Sequence, residues 1–354
     1  MNDDYLWDGS GEPDPEIQKL ENMLAKFRHR GQAPEFPEIA VAKQPRFWQR
    51  FMPSRLSFGF AAATVAILFV AAFGILRWSQ KPNVNSQSGW DVERVAGQPQ
   101  VESSAFGMIS RSAKLGVGQT LVTDSHSKAN ISISDIGTVN VEPNTRLRLV
   151  AGGNGHSRLA LDRGTIHAYI WAMPGEFTVN TPSAIAVDLG CSYTLQVDDS
   201  GAGLLRTKLG WVGFKLDGHE AFIPAGAVCA TRPKVGPGTP YFDDATASFR
   251  ETLTKFDFAT STPEERSAEL SKILAEARQR DALTVWHLLA RVEEPERGLV
   301  YDRLATLLTP PSGVTRDGIL RLDQKMLDLW WNQLGLGDVS LWHIWERSWS
   351  PAKT

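Results

Sequence analysis

The stretch that most limits what this chain can fold into is Leu56–Leu76, LSFGFAAATVAILFVAAFGIL, which holds no charged, His, Asn or Gln side chain. As a helix rising about 1.5 Å per residue it reaches roughly 30 Å, the thickness of a bilayer's hydrocarbon core. Its polar side chains, Ser57 and Thr64, can bond back to the helix's own carbonyls, so nothing in it forbids lipid. Arg55 and Arg77 bracket it, and Trp78 falls where an interfacial aromatic would lie. A buried helix of a soluble domain seldom keeps such a run beyond about 14 residues. One transmembrane helix over 56–76 is therefore expected. Seven basic residues precede it between Lys26 and Arg55, and three follow between Arg77 and Phe106. Basic excess stays cytoplasmic, which puts the N-terminus inside and the chain from about Trp78 onward outside the membrane. The run starts too late and is too long for the apolar core of a signal peptide.

The inner segment, 1–55, reads as one helix and a basic tether. Asp14-Pro15-Glu16 is a helix start, with Asp at the N-cap and Pro at the first helical position. Ile17, Leu20, Leu24 and Phe27 then recur at helical spacing, and Gly31 ends the run. So short a helix is marginal alone in water. Its stripe either meets a partner, a second copy or the membrane surface, or the helix stays frayed and solvated. Pro34, Pro37 and Pro45 space out the basic tether that follows.

Beyond a polar linker, 77–89, short alternating runs broken by Gly, Asn, Asp and Pro signal many short strands over 90–232. Ala129–Ile133 and Ile185, Val187, Leu189 alternate clearly, and Asp217-Gly218 is a tight-turn dipeptide between two such runs. Separate strands are predicted at Arg158–Asp162 and Gly164–Trp171. This density of short strands favours an antiparallel sandwich, barrel or stack of hairpins over a parallel α/β fold. Arg146 and Arg148 alternate with leucines and make one strand face basic, where an anionic cell-wall ligand could dock. The two cysteines, Cys191 and Cys229, are too few for a disulfide framework; they form either one bridge or two small buried apolar positions.

The order of these runs resembles the FecR-like domain. Leu115–Gln119, Leu121–Asp124 and Ala129–Ser134 match its opening; Gly137–Arg148, Leu161-Asp-Arg-Gly164 and Phe177–Pro182 match its middle; Lys208–Gly210, Trp211–Leu216 and Pro224-Ala-Gly226 match its close. Val187–Tyr193 stands where the family usually has V.GT.F, so Cys191 and Tyr193 are departures. The resemblance implies a membrane-anchored regulator whose cytoplasmic segment engages a sigma factor or other cytoplasmic regulator, and whose periplasmic β domain senses a protein or cell-wall ligand. One helix and a tether are fewer than the several helices usual in sigma-binding domains. The inner segment also lacks the His-x₃-Cys-x₂-Cys zinc pattern.

Residues 243–354 turn helical. Thr262-Pro-Glu-Glu265 is a capping box, Asp281 and Pro295 open further helices, and Pro310-Pro311 interrupts them. Six of the twelve tryptophans fall here, Trp286, Trp330, Trp331, Trp342, Trp345 and Trp349, to fill a core or to face a partner. The expected fold class is multidomain: a short cytoplasmic helix, one transmembrane helix, an all-β antiparallel extracytoplasmic domain, and a C-terminal all-α, helical-repeat-like domain.

Catalytic signatures are missing from the sequence: no His-Glu-x-x-His, Gly-x-Ser-x-Gly, phosphate loop or dinucleotide fingerprint. The histidines show no ligand spacing, and His287, following Trp286, reads as a packing residue. No enzyme, cofactor or metal is expected, and a net charge of −3 gives no pull towards nucleic acid. Two functions remain: a single-pass signal transducer of anti-sigma type, or an envelope scaffold binding protein or glycan without inward signalling.

Overall fold

The computed structural model describes residues 89–102, 107–153 and 156–337, all within the compact unit Asn83–Thr354. Seventeen strands form one hydrogen-bonded network arranged as two sheets. The first sheet joins β1 (Trp90–Ala96), β3 (Ser112–Leu115), β5 (Lys128–Ile133), β6 (Gly137–Val141), β11 (Ser192–Val197), β12 (Gly203–Leu209), β15 (Ala227–Arg232), β16 (Gly236–Pro237) and β17 (Tyr241–Phe242). The second joins β2 (Gln100–Glu102), β4 (Thr120–Val122), β7 (Arg146–Ala151), β9 (Phe177–Asn180), β10 (Ile185–Asp188), β13 (Trp211–Leu216) and β14 (His219–Pro224). The long strand β8 (Ser157–Ile170) belongs to both. A single apolar core takes Val92, Ile131 and Leu195 from one sheet and Leu121, Leu147 and Val212 from the other, so the two face each other as a sandwich.

β8 shows how the chain changes sheet. Leu159 and Leu161 point inward, then Ile166, Ala168 and Ile170, so the buried parity switches from odd to even across Asp162–Thr165. Gly164 sits at the switch with φ +100°, and a Cβ there would overlap Thr145. The two predicted strands are thus one, because the glycine bends the strand without breaking its pairing. The second half of β8 then acts as a crossover, and the chain re-enters the second sheet running the same way: Ser157 pairs with Phe177 and Ala160 with Asn180 in parallel. The remaining pairings are antiparallel. Asp217 and Gly218, at φ 47° and 83°, make the tight turn between β13 and β14.

Six helices follow: α1 (Ala247–Phe258), α2 (Pro263–Glu276), α3 (Ala282–Leu288), α4 (Glu294–Leu307), α5 (Arg316–Leu320) and α6 (Gln324–Gln333). Thr262 and Glu265 close the predicted capping box of α2. Asp281 does not cap α3; its carboxylate accepts from Arg278 N at 2.8 Å and Nε at 2.8 Å. Phe249, Leu253, Phe256, Ile273, Val285, Leu304 and Trp330 form the helical core.

That core is joined to the sandwich by partly buried polar bonds and aromatic edges. Arg291 donates to the carbonyls of Pro237 at 2.9 Å, Gly238 at 3.0 Å and Glu220 at 3.1 Å. Asp257 accepts from Thr239 N at 2.7 Å and Oγ1 at 2.8 Å. Trp331 packs edge-on against Phe222 and Trp286, at 4.9 and 5.0 Å between ring centres.

The expected fold class needs correcting on three points. The sheet is mixed, because the β8 crossover returns β9 parallel to it. The helices range from 5 to 14 residues and do not repeat. No helix among the described residues is long and apolar enough to cross a membrane; a 14-residue helix reaches only about 21 Å. Leu56–Leu76, on which the transmembrane helix rested, lies outside the described residues, as do the stripe Ile17, Leu20, Leu24, Phe27 and the tryptophans Trp342, Trp345 and Trp349.

Candidate partner-binding site

Three passages from one sheet to the other come together at one corner of the sandwich: 171–176 after β8, 189–191 after β10, and Gly210 after β12. They are tightly stacked. A Cβ at Gly210, where φ is +69°, would overlap the Gly190 carbonyl, and Gly190 in turn lies beside the Ala172 carbonyl. Ile170 N–H donates to Cys191 O at 2.9 Å, and Gly175 N–H to Asp188 O at 2.9 Å.

The outer surface of this corner is apolar. Tyr169, Ser192 and Leu209 share one cross-strand row, and all three point away from the core. Leu209 reaches that face because a bulge opposite Ser192 adds Lys208 to β12. Leu209 is 69% exposed, Trp171 67% and Met173 66%. The Trp171 indole is held at its nitrogen, which donates to Asp135 O at 3.0 Å, while its rings stay open to solvent. Scattered exposed apolar residues are ordinary; four large ones gathered on one corner mark a contact surface.

Directly behind lies a buried polar cluster. Asp188 Oδ1 accepts from Gly190 N–H at 2.7 Å, and Oδ2 from the Cys191 thiol at 2.7 Å. Burial pushes the Asp188 carboxyl up to about 7 against those two bonds. Burial, reinforced by the Asp188 charge, also raises the Cys191 thiol and the Tyr193 hydroxyl. Tyr193 is fully buried and its Oη has no hydrogen-bond partner. The two departures from the V.GT.F pattern thus both line this cluster. Sequence alternation had put Ile185, Val187 and Leu189 on the inner face and gave no sign that Asp188 would be buried beside them.

The structure leaves Cys191 and Cys229 as two free, buried thiols, Cys229 donating to Gly238 O at 3.3 Å. Arg146 is neutralised by Glu102 at 2.6 Å and Asp162 at 3.4 Å, which takes half the charge from the basic strand face and leaves Arg148 exposed there. His167 bonds Thr194 at 2.8 Å and lies 3.5 Å from Glu142. His287 is buried: Phe222 N–H donates to its Nε2 at 3.1 Å, so Nδ1 carries the proton and donates to Leu283 O at 2.8 Å. Among the described residues no group of three or more His, Cys, Asp or Glu could hold a metal ion.

A sandwich whose three most exposed large apolar side chains among the described residues gather at one corner is a domain suited to contact with another surface. Residues 119–207 match the family described as FecR protein, so this part of the chain is FecR-like, as the strand pattern implied. That segment runs from β4 into β12 and carries Tyr169, Trp171, Met173 and the Asp188 cluster, but not Leu209 or the helices. Two crystal structures of a candidate anti-sigma factor from Parabacteroides distasonis are also similar, at 13% identity and a TM-score of 0.31. The alignment covers 38% of this chain and 64% of that one, so the chain spans under two thirds of its length. A comparison with curated proteins finds no match.

Proposed function

We propose that the chain is a FecR-type regulator at the bacterial inner membrane, whose β domain meets a periplasmic protein through the corner of Tyr169, Trp171, Met173 and Leu209 and whose output is control of an extracytoplasmic-function sigma factor. The observation that carries the reading is the FecR match over 119–207, which covers the strands beneath that corner. A protein partner suits the corner because aromatic and Met side chains are enriched at interface centres, while a charged polymer would need the basic face, half of whose charge, at Arg146, is paired with Glu102 and Asp162. The test is co-purification of the tagged full chain with the host's sigma factors, alongside a chain lacking residues 1–50. Recovery of a sigma factor that depends on 1–50, with transcripts that change on deletion, is the expected result. A transcriptome indifferent to that deletion, together with a disturbed envelope, would replace the regulator with a scaffold, a reading favoured by the exposed corner taken alone.

A further inference from the structure

Away from the apolar corner, α1 and β17 enclose a second concave surface. The apolar stripe of α1, Phe249, Leu253 and Phe256, is buried in the helical core. Ala247, Arg250, Glu251 and Thr254, spaced three and four apart on another face, line a groove of about 440 Å³ together with Lys255 and Tyr241. Tyr241 and Arg206 flank buried Val228 in one cross-strand row, so the groove lies between α1 and the edge of the first sheet.

The charges that line it are unpaired. Six arginines of the helical part are half-buried: Arg250, Arg266, Arg278, Arg291, Arg297 and Arg303. The last five donate side-chain bonds, to Phe256 O, Asp281, Pro237 O, Leu320 O and Ala277 O among others. Among the described residues the Arg250 guanidinium donates to nothing, and Arg250, Glu251 and Lys255 form no ion pair. A guanidinium carries five donors, and holding them half out of water without an acceptor is costly. Burial raises the Tyr241 hydroxyl while the Arg206 and Arg250 charges act against that rise, which puts both guanidiniums near its oxygen. Arg206 is tied to Asp243, so Arg250 is the guanidinium left to a ligand.

The groove's charges select the ligand. A simple anion would satisfy Arg250 but meet Glu251, and a simple cation would meet Arg250 and Lys255. Two cations and one carboxylate are matched by two carboxylates and one ammonium. Arg250 and Lys255 start about 7.5 Å apart along the helix axis, and the volume falls at the small end of ligand sites, so one compact molecule can meet both.

We propose that this groove binds an acidic amino acid, one carboxylate on the Arg250 fork and the Tyr241 hydroxyl, the other on Lys255, and the ammonium on Glu251. Calorimetric titration of the full chain with glutamate and aspartate, each in both enantiomers, should give saturable binding by at least one of them. That binding should be about tenfold or more tighter than binding of N-acetylglutamate, glutamine or inorganic phosphate. Arg250→Met should weaken it by a similar factor and leave the urea midpoint unchanged, because the side chain bonds nothing in the fold. Glu251→Gln should erase the preference over N-acetylglutamate. Failure of all four probes to bind, phosphate binding as tightly, or a lowered midpoint in Arg250→Met, which would make the guanidinium structural, each overturns the proposal. None of these outcomes depends on whether a sigma factor is recovered.

Discussion

Asp188 and His287 are both buried, and they link folding to pH in opposite directions. His287 is held down to about 3, first by burial and then by the Arg291 charge, against its bond to Leu283. Between about pH 6.5 and 3 the unfolded chain takes up a proton that the folded chain refuses, so this residue's contribution is complete above pH 6.5 and is lost as pH falls. Asp188, raised to about 7, keeps a proton that the unfolded chain releases above about pH 4, so its contribution declines as pH rises from 4 to 7. Each slope approaches about 1.4 kcal/mol per pH unit, and over the shared window they oppose each other. Relative to the natural chain, stability to urea from pH 4 to 6.5 should therefore rise with pH in Asp188→Asn and fall with pH in His287→Gln. Variant curves parallel to the natural one would refute the assignment. Burial also raises both thiols. Neither should react with a maleimide until the protein unfolds, which thiol counting before and after urea will show. His287 was legible in the sequence as a packing histidine beside Trp286. Asp188 was not, because a single acid inside an alternating strand looks like its solvent side.

At the scale of elements, what the sequence made plain was local. Ala129, Ile131 and Ile133 alternate in sequence and in burial, and Thr262 with Glu265 caps where the spacing said it would. Pairing across sheets is nonlocal, so neither the parallel β8–β9 pair nor the route of β8 between sheets could be read. β15 was missed for another reason: Ala227, Val228 and Cys229 are buried in succession, and no alternation marks the strand. Leu209 sits in the exposed row only through the bulge at Lys208, which no residue pattern announces. Gly164 offers the sharpest test of the crossing. Val there would hold a branched side chain at φ +100° and drive its Cβ into Thr145. Gly164→Val should lose about 3 kcal/mol of stability, read as a lower urea midpoint, whereas the same change at Gly153, which meets nothing within 4 Å, should cost less.

For the molecule as a whole, the junction between sandwich and helices decides whether the two parts live separately. Leu283 and Trp331 from the helices sit in the sandwich core, and Arg291 satisfies three carbonyls on the sandwich side. The described residues should therefore unfold in one transition. Far-ultraviolet dichroism and tryptophan fluorescence should share a midpoint; two separated midpoints would contradict the shared core. Arg291→Met should lower that midpoint for both signals together, by about 3 kcal/mol, since it removes three hydrogen bonds across the junction.

The stacked passages between sheets carry one more implication. Trp171, Gly190 and Gly210 stand 19 and 20 residues apart, and the parallel partners Ser157 and Phe177 are likewise 20 apart. Each circuit of the sandwich thus delivers one short segment to the same corner, while the residues between circuits are committed to the core. Such a surface can be rewritten one segment at a time. Exchanging 171–176 leaves β11 and β12 in register, and a new bulge in β12 changes one side chain of the row without moving Tyr169. A lineage built on this plan could change what it recognises many times over and keep its interior unaltered.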